Sequence, residues 1–272
     1  HYPLRRQRQM CIRDSRKHRR TKMAKRQKLQ VVHNTCDRNP TNNNSLKLRI
    51  DDMATFSAMT ETQGQFFSLY NSNKAFLLHG CAGTGKTFIA LYRALEEVLM
   101  KGNSYDKVVI VRSAVPSRDI GHLPGDEKEK TEVYSLPYQS MCQDFFPKKP
   151  TPYKRLLEQK HLDFMCTSFV RGITLDHAIV IVDECQNMND MEINSIMTRL
   201  GNTSKIIFCG DFRQTDLYKR GDMSGLKKFM VIAENMQSFR TVEFVPEDIV
   251  RSSIVREYIE ARMDFEDKFE NS

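Results

Sequence analysis

The sequence has no tryptophan, no internal repeat and no apolar run near the length of about 18 residues that a membrane-spanning helix requires. Its basic first segment is not followed by the apolar stretch of a secretory signal peptide. These absences argue against an integral membrane protein, a repeat protein and a secreted protein. We therefore expect no membrane partner and a cytoplasmic location.

The sequence also lacks any C-x-x-C pair, although it contains seven cysteines. An odd number of cysteines without that spacing argues against a disulfide framework and against a zinc site. Cys81, Cys185 and Cys209 fall inside or beside apolar segments, where a small buried side chain fits. We expect the cysteines of these segments to be buried free thiols.

Beyond its first 22 residues the chain has no excess of positive charge. Residues 1–22 hold nine Lys or Arg and one Asp, which accounts for the whole net charge of +8. Residues 1–45 are polar and basic, so we predict a disordered arm, followed by one globular domain over residues 46–265. Because Met23-Ala24-Lys25-Arg26 has the form of a natural start, one hypothesis is that residues 1–22 are non-native read-through.

An eight-residue motif carries the first functional prediction. It fits G-x-x-x-x-G-K-[ST], the phosphate-binding loop (P-loop) of nucleoside triphosphatases, and lies between an apolar strand at Ala75–Leu78 and a helical pattern from Phe88. Backbone N–H groups and a helix N-terminus at such a loop bind phosphate oxygens. A chance glycine-rich turn is the alternative, and the strand and helix around the motif argue against it. The predicted nucleotide-binding residues are Gly80, Cys81, Ala82, Gly83, Thr84, Gly85, Lys86 and Thr87.

Two acidic residues supply the second half of a nucleotide site. Asp183 and Glu184 follow the apolar strand Ile179–Val182. Alone, this pattern would be better interpreted as a strand that ends in solvated acids. Together with the P-loop, it predicts that Thr87 and Asp183 hold Mg²⁺, that Lys86 contacts the β- and γ-phosphates, and that Glu184 orients or deprotonates the attacking water.

Weaker candidates lie at a third strand tip and near the C-terminus. Gln214 follows the strand Lys205–Cys209 and is predicted to sense the γ-phosphate, an ordinary turn being the alternative. Arg251 and Arg171 are candidates to neutralise transition-state charge. Without further support, an arginine such as Arg251 on a terminal helix is more often solvated or ion-paired, and Arg171 is similarly ambiguous.

The hydrophobic pattern predicts an α/β fold, with apolar strands alternating with helices and a mostly parallel sheet covered on both faces. The segment 113–150, rich in proline and charge, is predicted to be an irregular insertion. The predicted strands are Ala75–His79, Lys107–Arg112, Phe164–Ser168, Ala178–Val182, Lys205–Cys209 and Arg240–Val245, and the predicted helices cover 63–70, 86–101, 150–161, 188–199, 223–233 and 247–264.

Several motifs in order over residues 58–260 resemble the PhoH family of cytoplasmic ATP-binding proteins, which is associated with phosphate starvation. They include Gly80–Thr87, Leu123-Pro124-Gly125-Asp126, Val182-Asp183-Glu184-Cys185-Gln186-Asn187 and the segment from Gly210 to Leu217. The resemblance, to a short member of the type carried by bacteriophages, implies a single RecA-like P-loop NTPase domain related to the first domain of superfamily I helicases. It further implies ATP and Mg²⁺ as cofactors, Gln65 at the adenine, Gln214 at the γ-phosphate and a catalytic role for Arg251, in the cytosol of a bacterium or a phage-infected host.

The leading functional hypothesis is a Mg²⁺-dependent ATPase. The alternatives are an ATP-gated module that binds single-stranded RNA or DNA without helicase activity, and a small-molecule P-loop kinase. Only 185 residues follow Thr87, too few for a second motor domain. Mechanical work would then require a homo-oligomer, such as a ring, in which Arg251 or Arg171 completes a neighbour's site.

Overall fold

The computed structural model describes residues 47–113, 127–211 and 225–270. The predicted arm at 1–45 and the predicted sensor Gln214 lie outside these ranges. No helix in the described ranges is both long enough and apolar enough to cross a bilayer. The five cysteines of the described part are buried thiols that form no disulfide there, in agreement with the prediction.

A six-stranded sheet forms the centre of the fold, and every strand pair in it is parallel. The strand order is β3-β2-β4-β5-β1-β6, so β5 lies between β1 and β4. The predicted α/β class with a parallel sheet is therefore confirmed. The strands are β1 Ala75–Gly80, β2 Lys107–Arg112, β3 Leu162–Cys166, β4 Ala178–Asp183, β5 Ser204–Gly210 and β6 Phe239–Phe244.

Helices cover both faces of this sheet, as continuously apolar strands require. Along β4, Ile179 and Ile181 pack into the core shared with α1, α2, α3 and α4. Ala178, Val180 and Val182 point to the opposite core, which α5, α6 and α7 complete. The helices are α1 Glu61–Tyr70, α2 Lys86–Leu99, α3 Glu127–Phe145, α4 Pro152–Glu158, α5 Thr167–Val170, α6 Asp190–Met197, α7 Gly225–Glu234 and α8 Ser253–Glu270, with 3₁₀ turns at Ile50–Asp52, Cys185–Asn187 and Pro246–Asp248.

The prediction of an irregular insertion at 113–150 is wrong for its second half. Residues 127–145 form α3, and residues 114–126 lie outside the described part of the chain. Tyr138, Cys142 and Phe145 of α3 are completely buried. Their spacing of i, i+4 and i+7 is the helical period, which Pro137 and the charged run before it obscured in the sequence.

The C-terminal helix also differs from its prediction at 247–264. A 3₁₀ turn at Pro246–Asp248 is followed by non-helical backbone, and α8 starts only at Ser253. The extended Ile249 (φ −67°, ψ 115°) lets residues 249–252 run past the P-loop instead of coiling away from it.

Candidate functional site

The P-loop joins β1 to α2 and requires glycine at its turns. Gly80, Gly83 and Gly85 have φ of 115°, 76° and 83°. A Cβ on Gly80 would lie 2.0 Å from the backbone oxygen of Phe244 in β6. The next residue continues the contact, because the Cys81 N–H donates to that same oxygen at 2.9 Å. The start of the loop is thus fixed against β6.

Lys86 is buried within the loop. Its Nζ donates to the carbonyl oxygens of Gly80 at 2.9 Å and Cys81 at 2.6 Å. Burial lowers the pKa of Lys86, while the nearby Asp211 carboxylate acts to raise it. A desolvated ammonium at this position interacts strongly with an anion that enters the loop, because the local dielectric is low.

The first turn of α2 meets the tip of β4. The Thr87 hydroxyl donates to Asp183 Oδ1 at 2.6 Å, and the Tyr138 hydroxyl donates to Asp183 Oδ2 at 2.6 Å. A hydroxyl and a carboxylate in direct contact offer the oxygen ligands that Mg²⁺ prefers. Thr87 and Asp183 therefore fit a Mg²⁺ ion.

Glu184 follows Asp183 with a left-handed backbone (φ 52°) that costs a non-glycine residue about 1–3 kcal/mol. Gln186 holds its side chain, because Gln186 Nε2 donates to Glu184 Oε2 at 2.6 Å. Gln186 Oε1 in turn accepts from the Asp211 N–H at 3.1 Å, which ties Glu184 to the end of β5. Burial, and then the charge of Asp183, raise the pKa of Glu184. A carboxylate with a raised pKa is a better proton acceptor near neutral pH.

The segment after β6 places Arg251 on this chain's own P-loop. The Val250 N–H donates to the Gly83 oxygen at 3.1 Å. A Cβ on Gly83 would lie 2.9 Å from Arg251 Cγ. Arg171 is exposed after α5 and is not among the residues that line the cleft. Of the two candidate arginines, the structure brings only Arg251 to the site.

Gln65, predicted from the resemblance to contact adenine, is exposed on α1 and does not line the cleft. Gln63 lies there instead and is buried. Its Nε2 donates to the Thr84 oxygen at 2.9 Å, and its Oε1 accepts from the Met59 N–H at 2.9 Å. Residues two apart on a helix point about 200° apart, so only one of the two glutamines can face the loop.

These groups enclose a cleft of about 580 Å³ at the C-terminal end of the sheet. The position matches the general rule that parallel α/β sheets bind ligands beyond the carboxyl ends of their strands. Gly80, Cys81 and Thr84 are not among the lining residues and lie behind the loop surface. The predicted residues that line the cleft are Ala82, Gly83, Gly85, Lys86, Thr87, Asp183, Glu184 and Arg251, joined by Gln63 and Gln186, which the sequence analysis did not assign.

Residues 55–263 match the protein family described as "PhoH-like protein". The chain belongs to the PhoH family. It is 32% identical over 242 residues to a PhoH-like protein of Bacillus subtilis. The aligned region covers 88% of this chain and 72% of that relative. It is 30% identical to Protein PhoH of Escherichia coli, over 77% of this chain and 59% of that relative. A PhoH-like protein of Synechocystis is also 32% identical, and the alignment covers 75% of this chain and 61% of that relative. The chain thus spans about three fifths of the last two relatives.

Among solved structures, this PhoH-family chain is similar to the helicase domain of Pyrococcus furiosus Hef, with 13% identity and a TM-score of 0.41, over 69% of this chain and 38% of that one. It is also similar to Pif1 helicase from Candida albicans, with 16% identity and a TM-score of 0.33, over 70% of this chain and 41% of that one.

Proposed function

We propose that this PhoH-family P-loop protein is a cytoplasmic ATPase that uses Mg²⁺ and releases ADP and inorganic phosphate. The observation that carries the proposal is the 2.6 Å contact between Thr87 and Asp183. It joins the P-loop after β1 to the acidic pair after β4, although β5 separates these two strands. A nucleotide cradle and a carboxylate pair are thereby combined in one cleft.

Each side chain has a role in this reaction that its surroundings support. The loop N–H groups and Lys86 bind the β- and γ-phosphates, and Thr87 and Asp183 hold Mg²⁺, which neutralises phosphate charge when bound. Glu184 accepts a proton from the water that attacks the γ-phosphorus, and the bond to the ADP oxygen breaks. Arg251 stabilises the negative charge of the transition state. Gln214, which lies outside the described residues, keeps the role at the γ-phosphate or the water that the sequence assigns to it.

Gln65 was assigned from the sequence to the adenine base of ATP, whereas the position of Gln63 in the cleft supports that role for Gln63 in a modified form. Its amide already braces the loop through Thr84. We assign Gln63, in place of Gln65, to link the base end of the cleft to the P-loop.

The central test is phosphate release from ATP by wild type and Lys86→Ala, with and without Mg²⁺. Loss of the buried ammonium is expected to lower the rate about 100-fold, the effect of removing one preorganised donor from a desolvated site. Lys74→Ala, which changes an exposed lysine next to β1, is the matched control and should retain the wild-type rate. Equal rates for wild type and Lys86→Ala would refute the ATPase assignment. Adding single-stranded RNA shows whether hydrolysis responds to nucleic acid.

A second prediction concerns Arg251. Because this side chain lies on its own P-loop, Arg251→Ala is expected to lower the rate of ATP hydrolysis about 10- to 100-fold. This is a smaller loss than removal of a fully buried arginine finger causes. Arg171→Ala is the control for a general loss of positive charge and should have no effect.

Mixing separates action within one chain from action on a neighbour. If Arg251 completed a neighbour's site in a homo-oligomer, equimolar Arg251→Ala and Lys86→Ala chains would regain activity, since some sites would combine an intact loop with an intact arginine. We expect no regain. Recovery of activity in the mixture would favour a ring in which Arg251 acts in trans.

A further inference from the structure

A side chain outside both halves of the nucleotide motif contacts the proposed metal carboxylate. Tyr138 lies on α3 and is completely buried. Its hydroxyl donates to Asp183 Oδ2, while Thr87 donates to Oδ1 of the same carboxylate. Both oxygens of Asp183 are therefore held by hydroxyl groups from two different helices, and this restricts rotation of the carboxylate.

Tyr138 is the donor in its contact with Asp183 Oδ2. A phenol has a single proton to donate, whereas a carboxylate offers only acceptors. The bond to an ionised acceptor is of the stronger, charge-assisted kind.

Core packing alone does not explain why residue 138 carries a hydroxyl group. The Tyr138 ring already packs against Phe164, at a centroid distance of 5.6 Å. A phenylalanine would fill this space equally well, whereas a buried tyrosine hydroxyl must find a partner. Here the partner is the one carboxylate that the proposed function assigns to Mg²⁺.

We propose that Tyr138 is a positioning residue that orients Asp183 for Mg²⁺ and thereby sets how strongly Mg²⁺ tightens nucleotide binding. Partners of ligating carboxylates commonly change metal affinity 10- to 100-fold when they are lost. The inference rests on the proposed function, since it assumes that Asp183 serves the metal. It adds α3 to the elements that build the site.

The test is the affinity of the fluorescent nucleotide mant-ADP in EDTA and in saturating Mg²⁺, for wild type and Tyr138→Phe. The expected result is that the tightening by Mg²⁺ shrinks about tenfold in Tyr138→Phe, while the metal-free affinity stays within about twofold of wild type. Tyr153→Phe is the matched control. It removes a hydroxyl from another buried tyrosine of the same core, one that bonds to Ser135, and should leave both affinities unchanged.

Each outcome decides a separate point. Unchanged Mg²⁺ dependence in Tyr138→Phe would overturn the inference and leave the ATPase proposal intact. Failure of Tyr138→Phe to fold, seen by circular dichroism, would also overturn it, because the hydroxyl would then serve the core. Wild-type binding that does not respond to Mg²⁺ would instead refute the metal role of Thr87 and Asp183, and Tyr138 with it.

Discussion

Gly80→Ala is expected to destabilise the folded protein by more than about 3 kcal/mol, a large part of the 5–15 kcal/mol that stabilises a typical domain. Two costs combine at this position. The backbone φ of 115° is one that residues with a Cβ rarely adopt. The added Cβ would also lie 2.0 Å from the Phe244 oxygen, so that β6 or the P-loop must move. Urea denaturation followed by circular dichroism measures the loss.

Gly172→Ala separates the two costs. Gly172 has a similar positive φ of 89°, but nothing lies within 4 Å of the site of its Cβ. Its replacement by alanine should therefore lower the free energy of unfolding only by the cost of the positive φ, about 1–2 kcal/mol. Equal destabilisation by the two variants would show that β6 can move away from the added Cβ at no cost in stability, contrary to the close contact seen here.

Glu184→Gln is expected to lower ATP hydrolysis about 1,000-fold or more while nucleotide binding persists. General base catalysis typically contributes 10²- to 10⁴-fold, and the glutamine that replaces Glu184 cannot accept the proton. Its size and its contact with Gln186 are preserved, so the fold of the cleft should not change. Phosphate release and mant-ADP binding, measured on the same preparation, separate chemistry from binding.

The control for Glu184→Gln is Glu158→Gln, the same exchange on the exposed surface of α4. That variant should hydrolyse ATP at the wild-type rate. If Glu184→Gln also kept the wild-type rate, another group would have to receive the proton, and the proposed role of Glu184 would be wrong.

The strands and their polar tips could be predicted because continuous apolar runs in this chain have few alternative structures. Ile179–Val182 is too short and too rich in β-branched residues for a helix, and the acids that follow it necessarily reach the edge of the sheet. The P-loop, Asp183 and Glu184 were predicted at the positions where the structure brings them together. The strand at Leu162–Cys166 was predicted two residues late, because polar Asp163 interrupts it.

The glutamine that contacts the loop is Gln63 and not the predicted Gln65, and the sequence carried a signal for this placement. Gln63 is in helical phase with Phe66 and Tyr70, at i+3 and i+7, and all three are buried. Gln65 is out of phase with them. Helical phase would have selected the glutamine that the structure places at the loop, whereas the resemblance selected its neighbour.

Contacts between distant segments left no local pattern to read. Tyr138 and Asp183 lie 45 residues apart, on a helix and a strand with different periods. Arg251 reaches Gly83 because a short non-helical segment replaces the helix that the sequence favoured. Both arrangements depend on how elements dock, and docking is decided by the whole core.

The closure of the P-loop by β6 bears on how the chain is made. The ribosome delivers β1 and the loop early, whereas Phe244 and Arg251 emerge only after the other five strands. The Thr62–Asp248 hydrogen bond spans 186 residues, and such long-range contacts form slowly. A nascent chain cannot complete the cleft, or gain stability from the nucleotide that we propose binds there, until this late segment arrives. A product truncated before β6 would carry all eight residues of the motif without the strand that holds Gly80 in place.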